Sequence, residues 1–380
     1  MTKDSAEMQI VNARVKTLTA PVTDGTKMSF SSLSRRATVL VELETRSGLI
    51  GLGESWVNFP EWAPTERVAT LTQGILPLVI GEDASEISIL HDRMTRSLIP
   101  IGRQWGAPGP IMQGISAVDI ALWDLLGKAQ GKSVAELLGG RKRENVNVYA
   151  SSLGPTGVSE QANLCKLGGF SAVKVKLGFG KDTDAENLAT ASQICGDDTV
   201  LYADANQGWT LEQAIDMAPL LQKYNIAWIE EPISGNDLAE LEIFHSKTGL
   251  RVATGENLLR SSDFIPYICS KAIAIIQPDL TKSGGFSEVL SICRIAESEG
   301  KEVIPHFYGG AIGFGATLQL ASSMLNISTI EYDIRDNPLR DSLIKNPPTP
   351  VNGKISIPDA PGLGIELDEK AISKYAKEQP

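Results

Sequence analysis

The 380-residue chain is predicted to be an α/β protein, a (β/α)7β barrel with an N-terminal α+β capping domain that is completed by the C-terminal segment. Three observations predict this. Seven short apolar stretches, AVKVKLG, VLYADAN, AWIEEP, VATGEN, IIQPD, VIPHF and TIEY, recur at intervals of 23 to 30 residues. That interval is about the length of a strand, a loop, a helix and a return loop. Each stretch ends in an ionisable residue: Lys174 with Lys176, then Asp204, Glu230, Glu256, Asp279, His306 and Glu331. The C-terminal ends of parallel barrel strands are where such groups gather to do chemistry. The first 140 residues show a different pattern.

Residues 8–20 and 37–45 alternate apolar and polar positions, as half-buried antiparallel strands do, and SGLIGLGES continues the second after a turn. A loop at 21–36 separates the first two, and an aromatic segment runs from Trp56 to Trp62. Residues 64–76, 85–98 and 111–127 have helical periodicity, and the last is apolar over most of its surface, which predicts a buried packing helix. From 146 the pattern becomes strand then helix, repeatedly, through to Glu331. Counting VNVYAS, this makes eight strands with seven intervening helices. Such alternation implies a parallel sheet, and eight strands suit closure. Residues 336–380, with NPPTP, GKISIP and PGLGIEL, break the pattern and are expected to pack back on the capping domain. The expected division is therefore 1–140 capping domain, 141–335 barrel and 336–380 return segment.

Composition narrows the partners. Hydrophobic residues make up 42%, normal for a large core, and the net charge is -11. That charge argues against nucleic acid and against an anionic membrane surface. A small carboxylate substrate remains compatible, because a metal reverses the local charge. The opening MTKDSAEMQI has no basic and apolar signal pattern, and no apolar run approaches the length of a spanning helix. Four cysteines without a CxxC pair are expected to be free thiols, which points to the cytoplasm.

Asp204, Glu230 and Glu256 close three consecutive predicted strands. Without a cation, three carboxylates at one barrel mouth raise each other's pKa values. An oxygen-preferring divalent ion, Mg²⁺ or else Mn²⁺, resolves the repulsion. Asn206 is expected to support that shell or the substrate. Adjacent strand residues face opposite sides, so Glu230 is assigned to the metal and Glu231 to a structural ion pair. Lys174 and Lys176, two apart, point the same way into the mouth, where their mutual repulsion is expected to bring one toward neutrality for use as a base. Asp279 and His306 close adjacent strands, so the carboxylate is expected to orient the imidazole. Lys282 is a rival second base or a substrate contact. Glu331 closes the eighth strand, for substrate binding, electrophilic assistance, weak acid work or a structural role. Together these groups suit abstraction of the proton α to a carboxylate, with the developing charge stabilised by metal and lysine.

At this point the motifs resemble the enolase superfamily, specifically its mandelate racemase subgroup. The matching pieces are Lys-x-Lys at 174–176, DANQG, EEP, GEN, QPD with GG following, PHF and IEY, and the resemblance covers nearly the whole chain. It implies a TIM-like (β/α)7β barrel under a capping domain, Mg²⁺ on Asp204, Glu230 and Glu256, and Lys176 as one base with Lys174 on the substrate carboxylate. It further implies His306, paired with Asp279, as the opposing acid/base, Glu331 facing a carboxylate oxygen, and a homo-oligomer. KLGFG, QPDLTKSGGFSEV, IPHFYGG, NPLRDSLIKNPP and VNGKISIPDAPGLGIEL are similar to acid-sugar members, the galactarolactone cycloisomerases in particular. Loops of the capping domain, here 21–36 and 53–62, choose the substrate in such families. Arg35, Arg36 and Arg103 are candidates for a distal carboxylate, and Trp56, Phe59 and Trp62 for shielding. The expected activity is dehydration or lactone cycloisomerisation of a sugar-derived acid. The alternatives are a racemase or epimerase of a 2-hydroxy acid, and a non-catalytic binding scaffold.

Overall fold

A computed structural model describes residues 6–377. Residues 1–5 of the expected capping domain and 378–380 of the return segment lie outside the described residues.

The chain opens with three antiparallel strands, β1 (Ile10–Pro21), β2 (Arg35–Thr45) and β3 (Ile50–Trp56), in the order β1-β2-β3. Helices Ala63–Ala69, Ile87–Trp105 and Pro108–Gln130 follow, the first continuing through a π turn at Thr70–Ile75. The long apolar helix Pro108–Gln130 packs on β3 almost backbone to backbone. Gly51 and Gly53 permit this, since a Cβ on Gly53 would stand 1.8 Å from the Ala117 carbonyl oxygen.

Eight parallel strands come next: β4 (Asn145–Leu153), β5 (Ala172–Lys176), β6 (Val200–Asp204), β7 (Ile229–Glu230), β8 (Val252–Thr254), β9 (Ile273–Ile276), β10 (Glu302–Val303) and β11 (Thr329–Asp333). They lie in the order β11-β4-β5-β6-β7-β8-β9-β10, with β12 (Lys354–Ser356) antiparallel to the start of β4. The two ends of the run meet where the Phe307 N–H donates to Glu331 Oε2 at 3.1 Å. Val173 and Val175 of β5 point to the surrounding helices, whereas Ala172 packs inside the barrel with Tyr149, Trp228 and Ile304. Tyr202 stacks on Trp228 with ring centroids 4.1 Å apart. This aromatic plug fills the barrel below its C-terminal mouth, so the interior is packed and not a pore.

The C-terminal segment divides its contacts. Strand β12 belongs to the barrel sheet, while Leu363 donates its N–H to Asp124 Oδ1 and Lys377 donates to the Thr17 carbonyl of β1. Asp124 Oδ2 also accepts the Leu52 N–H, so one buried carboxylate ties β3, the long helix and the return segment together. Glu54 on β3 crosses to the barrel side and accepts the N–H groups of Gly310 and Gly313 at 2.5 and 2.9 Å. It thereby caps helix Ala311–Ser323 from the capping sheet, satisfying donors that a helix start leaves open. No helix among the described residues is long and apolar enough to cross a membrane.

Replacing Gly53 with alanine drives a methyl group into the Ala117 carbonyl. The expected loss is about 3 kcal/mol of stability, read as a lowered urea midpoint with an unchanged m-value.

Candidate active site

The charged strand ends converge because the parallel register sets them side by side. Lys176 is paired with Asp204, and Asp204 with Glu230. Lys176 and Glu230 line a cavity of about 670 Å³ at the barrel mouth, together with Lys174, Glu231, Glu256, Lys282, His306 and Glu331, and Asp204 lies just behind them, bound to Lys176.

Lys174 sits at the bottom, fully buried, its Nζ 5.5 Å from the Tyr149 ring centroid. The ammonium lies 2.6 Å from Glu230 Oε2 and 2.9 Å from Glu331 Oε1. Lys176 Nζ lies 2.5 Å from Asp204 Oδ2 and 3.0 Å from Asn206 Oδ1. His306 is held on two sides, Nδ1 at 2.7 Å from Asp279 Oδ2 and Nε2 at 2.9 Å from Glu256 Oε2. Asp279 is fixed in turn by the Thr281 N–H and hydroxyl, both at 2.7 Å.

The electrostatics correct one expectation. Burial disfavours the charged lysines most, but Asp204 with Glu230 together outweigh it at Lys176, and Glu230, Glu331, Tyr149 and Asp204 together outweigh it at Lys174, so both are raised above the ordinary lysine range. Repulsion between the two ammonium groups is the smaller effect at Lys176. Burial likewise opposes the charge on His306, yet the Glu256 and Asp279 carboxylates hold it well above the usual imidazole range. Against the same burial, His306 and Lys282 hold Glu256 well below the carboxylate range.

Glu231 departs from its expected place. Strand β7 ends at Glu230, and Glu231 takes a left-handed φ of 36° that turns its side chain back into the cavity. Among the described residues it makes no ion pair. Gln207 Nε2 and Asn257 Nδ2 donate to it at 2.7 and 3.0 Å, and burial with the nearby Glu256 charge pushes it up to about 8. Asn206 and Gln207 are left-handed too, at 45° and 60°. Backbone strain of this kind persists only where the surroundings impose it; here the Gln207 N–H donates to the Glu231 carbonyl.

The candidate arginines are elsewhere. Arg36 is buried beneath the mouth, bound to Asp333 and the Asp336 carbonyl with its guanidinium over the Tyr308 ring. Arg35 is tied to the Glu61 carbonyl, and Arg103 is exposed on the helix Ile87–Trp105; neither lines the cavity. Strand alternation explains the first pair, since Arg36 is turned toward the barrel elements and Arg35 away from them. Trp56 and Phe59 do line the cavity, whereas Trp62 is 72% exposed outside it. Lys282 Nζ donates to Asn257 Oδ1 at 3.0 Å and stands 4.7 Å from the Trp56 ring centroid.

Sequence reasoning missed Gln277, whose Nε2 donates to Glu230 Oε2 at 2.7 Å, and Asn257. Both sit beside motif acids, Gln277 two residues before Asp279 and Asn257 next to Glu256, which was the available signal.

The donor set suits a hard divalent cation. Glu230 Oε1 is buried without a hydrogen-bond partner. Burial and the adjacent Asp204 push Glu230 up to about 7, despite Lys174. An oxygen in this state lacks a positive partner, and the Asp204 and Glu256 carboxylates near it add further hard oxygen donors. Among the described residues no three His, Cys, Asp or Glu side chains stand as a ready-made metal cage. The reason is visible in the contacts: Lys174, Lys176 and His306 each occupy one of the acids.

Residues 157–371 match the enolase C-terminal domain-like family, and residues 10–139 match the N-terminal domain of the mandelate racemase / muconate lactonizing enzyme family. The chain belongs to this family of the enolase superfamily. It is 32% identical to D-galactarolactone cycloisomerase of Agrobacterium fabrum, over 91% of this chain and 93% of that protein. It is 33% identical to arabinonate dehydratase of Saccharolobus solfataricus, over 89% and 90%. Among solved structures, a racemase from Streptomyces coelicolor A3(2) with bound magnesium superposes with a TM-score of 0.87 at 26% identity, covering 97% of this chain and all of that one. The enolase-superfamily chain is thus an enzyme, and it shares its fold with that solved structure over 97% of its length.

Replacing Lys174 with methionine leaves Glu230 and Glu331 buried without their ammonium. The expected cost to the metal-free protein is about 3–5 kcal/mol, measured by guanidinium unfolding in EDTA, and added Mg²⁺ is expected to recover part of it.

Proposed function

We propose that the enzyme removes the proton α to the carboxylate of a sugar-derived acid or lactone and then expels the β-oxygen, as an Mg²⁺-dependent acid-sugar dehydratase or lactone cycloisomerase. The observation that carries this reading is that two bases, Lys176 and His306, face one cavity from separate sides of the mouth. Lys176 ends β5, while His306 follows β10, three strands away in one direction around the barrel and five in the other. The relatives named above, a lactone cycloisomerase and an aldonate dehydratase, support the substrate class.

Asp204, Glu230 and Glu256 are the residues that hold the metal. When bound, Mg²⁺ supplies Lewis-acid stabilisation of negative charge on the substrate carboxylate. The remaining work falls to the chain. Lys174 offers a buried ammonium to a carboxylate oxygen, and Glu331 faces the same end of the substrate. Lys176, once its ammonium proton has left, takes the α-proton; the charge on Lys174 favours that neutral form. Asn206 holds the Lys176 side chain in place. His306, oriented by Asp279, delivers a proton to the leaving oxygen as the C–O bond breaks. Water departs where that oxygen is a hydroxyl, and a ring opens where it is tethered. The buried, largely water-excluding mouth strengthens each of these electrostatic interactions. Four free cysteines suit a reducing compartment, and we place the enzyme in the cytoplasm.

A racemase or epimerase uses the same first step, and the two-sided placement of bases serves it equally. Mass spectrometry picks out dehydration, which lowers the product mass by one water, from epimerisation and cycloisomerisation, which leave it unchanged, and NMR after incubation in D₂O separates those two. Incubation in D₂O with a panel of acid sugars and lactones tests the first step, with solvent deuterium entering the α-position. Absence of exchange across the whole panel would sink the proposal.

Lys176→Ala and His306→Asn are each expected to lower kcat about 10³-fold with unchanged circular dichroism. Full activity in His306→Asn would transfer the second role to Lys282. Glu256→Gln is expected to weaken Mg²⁺ binding by about 10–100-fold, measured by calorimetry, and unchanged affinity would remove Glu256 from the ligand set.

A further inference from the structure

Three cationic side chains that line the cavity each hold a carboxylate. Lys174 lies 2.6 Å from Glu230, Lys176 2.5 Å from Asp204 and His306 2.7 Å from Asp279. Lys282 lines the same cavity and is only 4% exposed, yet among the described residues no carboxylate oxygen stands at ion-pair distance from its Nζ. The arginines expected to meet the far end of a substrate, Arg35, Arg36 and Arg103, are outside the lining. Lys282 is thus the cation left for that task.

Its surroundings fix it at a seam. The floor of the cavity is made by the charged strand ends, and the roof by Met28, Phe30, Ser31, Trp56, Phe59 and Pro60 of the capping domain, none of them charged. The Lys282 N–H donates to the Asp279 carbonyl at 3.0 Å, and the Trp56 N–H donates to the Thr281 carbonyl at 3.4 Å, which joins floor to roof beside this lysine. Its Nζ stands 4.7 Å from the Trp56 ring centroid and donates to Asn257 Oδ1 at 3.0 Å. The same amide donates from Nδ2 to Glu231 at 3.0 Å and to Glu256 at 3.1 Å, so a neutral group links the ammonium to these two acids. An ammonium has three N–H donors. Asn257 takes one, and the Trp56 face adds a cation–π contact. Bracing Asn257 would need only a neutral donor, and a buried charge with no ion partner is costly.

We infer that Lys282 receives the second carboxylate of a dicarboxylic sugar acid, so that the enzyme favours aldaric acids and their monolactones over aldonic acids. This deepens the reading proposed above and rests on it. One carboxylate of the substrate is taken at the floor, where Lys174 stands. The reacting carbon lies between Lys176 and His306, which leaves the far end of the chain for the seam under Trp56. A carboxylate there supplies the counter-charge that Lys282 lacks. A hydroxymethyl group in the same place accepts a weaker bond, because charge-assisted hydrogen bonds are about twice as strong as neutral ones, and it leaves the ammonium without an ion partner. A site whose charged group is left unpaired by the wrong ligand discriminates strongly.

The test uses configuration-matched pairs, galactarate with galactonate, glucarate with gluconate and mannarate with mannonate, with the Mg²⁺-loaded enzyme. Within each pair that turns over, kcat/KM is expected to be at least about tenfold higher for the aldarate. Lys282→Met keeps the length and the apolar stem but removes the charge. It is expected to move the aldarate-to-aldonate ratio at least about tenfold toward the aldonate, mostly through KM. An unmoved ratio, or equal losses on both members of a pair, overturns the inference. Calorimetric binding of the same pairs to the unsubstituted enzyme needs neither a folded variant nor turnover, and aldarate binding no tighter than aldonate binding overturns it as well, while leaving acid-sugar chemistry intact. Tighter aldarate binding that depends on Lys282, without α-proton exchange in D₂O, has the opposite meaning: the assignment of Lys282 stands and the proposed reaction falls.

Discussion

Everything at the barrel mouth depends on balancing buried charge. Asp204, Glu230, Glu256 and Glu331 face Lys174, Lys176 and His306 within a few ångströms, largely out of water. At an effective dielectric near 20, two unit charges about 4 Å apart interact by about 4 kcal/mol. A single misplaced strand end would therefore cost as much as a sizeable share of a domain's net stability. The parallel register prevents this by setting Lys176, Asp204 and Glu230 on consecutive strands at the same height. Below them the Tyr149, Tyr202 and Trp228 rings close the barrel, so the charges have nowhere to retreat and remain at the mouth.

The capping domain is fastened to this arrangement by buried polar contacts as well as by apolar packing. Glu54 reaches from β3 to the amides that start helix Ala311–Ser323, four residues beyond His306. Asn58, two residues past the end of β3, donates from Nδ2 to the Tyr308 carbonyl at 2.7 Å. The loop that carries His306 is thus braced from outside the barrel, while Asp279 and Glu256 hold the imidazole from within. Burial raises the Glu54 carboxyl, and the Gly310 and Gly313 amides oppose that shift. The same strand that carries Glu54 ends in Trp56, so the element that locks the two parts together also delivers the first residue of the roof.

Much of this could be read from the sequence, for a physical reason. Strands buried on both faces are short apolar runs, and a charged residue at the end of each is too costly to recur without a purpose. Lys174, Lys176, Asp204, Glu230, Glu256, Asp279, His306 and Glu331 were visible on that ground, and the structure brings all eight to one mouth. The misplaced expectations share another cause. Period-two alternation predicts where Glu231 points only while the strand continues, and β7 stops one residue earlier. Arginine beside a substrate-choosing loop is a sound guess by residue type, but Arg36 answers to Asp333, almost 300 positions away in sequence. Lys174, two residues away in sequence, points to a lowered Lys176, but the acid bound to Lys176 in space is Asp204. Apart from the early end of β7, each miss concerns a long-range pairing that local pattern does not encode.

The division between a charged floor and an uncharged roof has a physical logic. The first half-reaction needs fixed charge where charge develops, and preorganised charge is stable only where rigid strands hold it. Those strands are shared with the whole barrel, so the floor has little freedom to vary. The roof is built from loops and from the end of one capping strand, whose side chains bear no comparable electrostatic load. Phe30 is exposed and Phe59 half-buried, so either position can change without disturbing the balance below. Changing Asp204 alters the titration of Lys174, Lys176 and Glu230, whereas changing a roof side chain alters only what is pressed against it. The groups that do the chemistry and the side chains that form the roof are therefore separable in this molecule, because the former sit at barrel strand ends and the latter on the capping domain, with Lys282 over Trp56 as the contact between them.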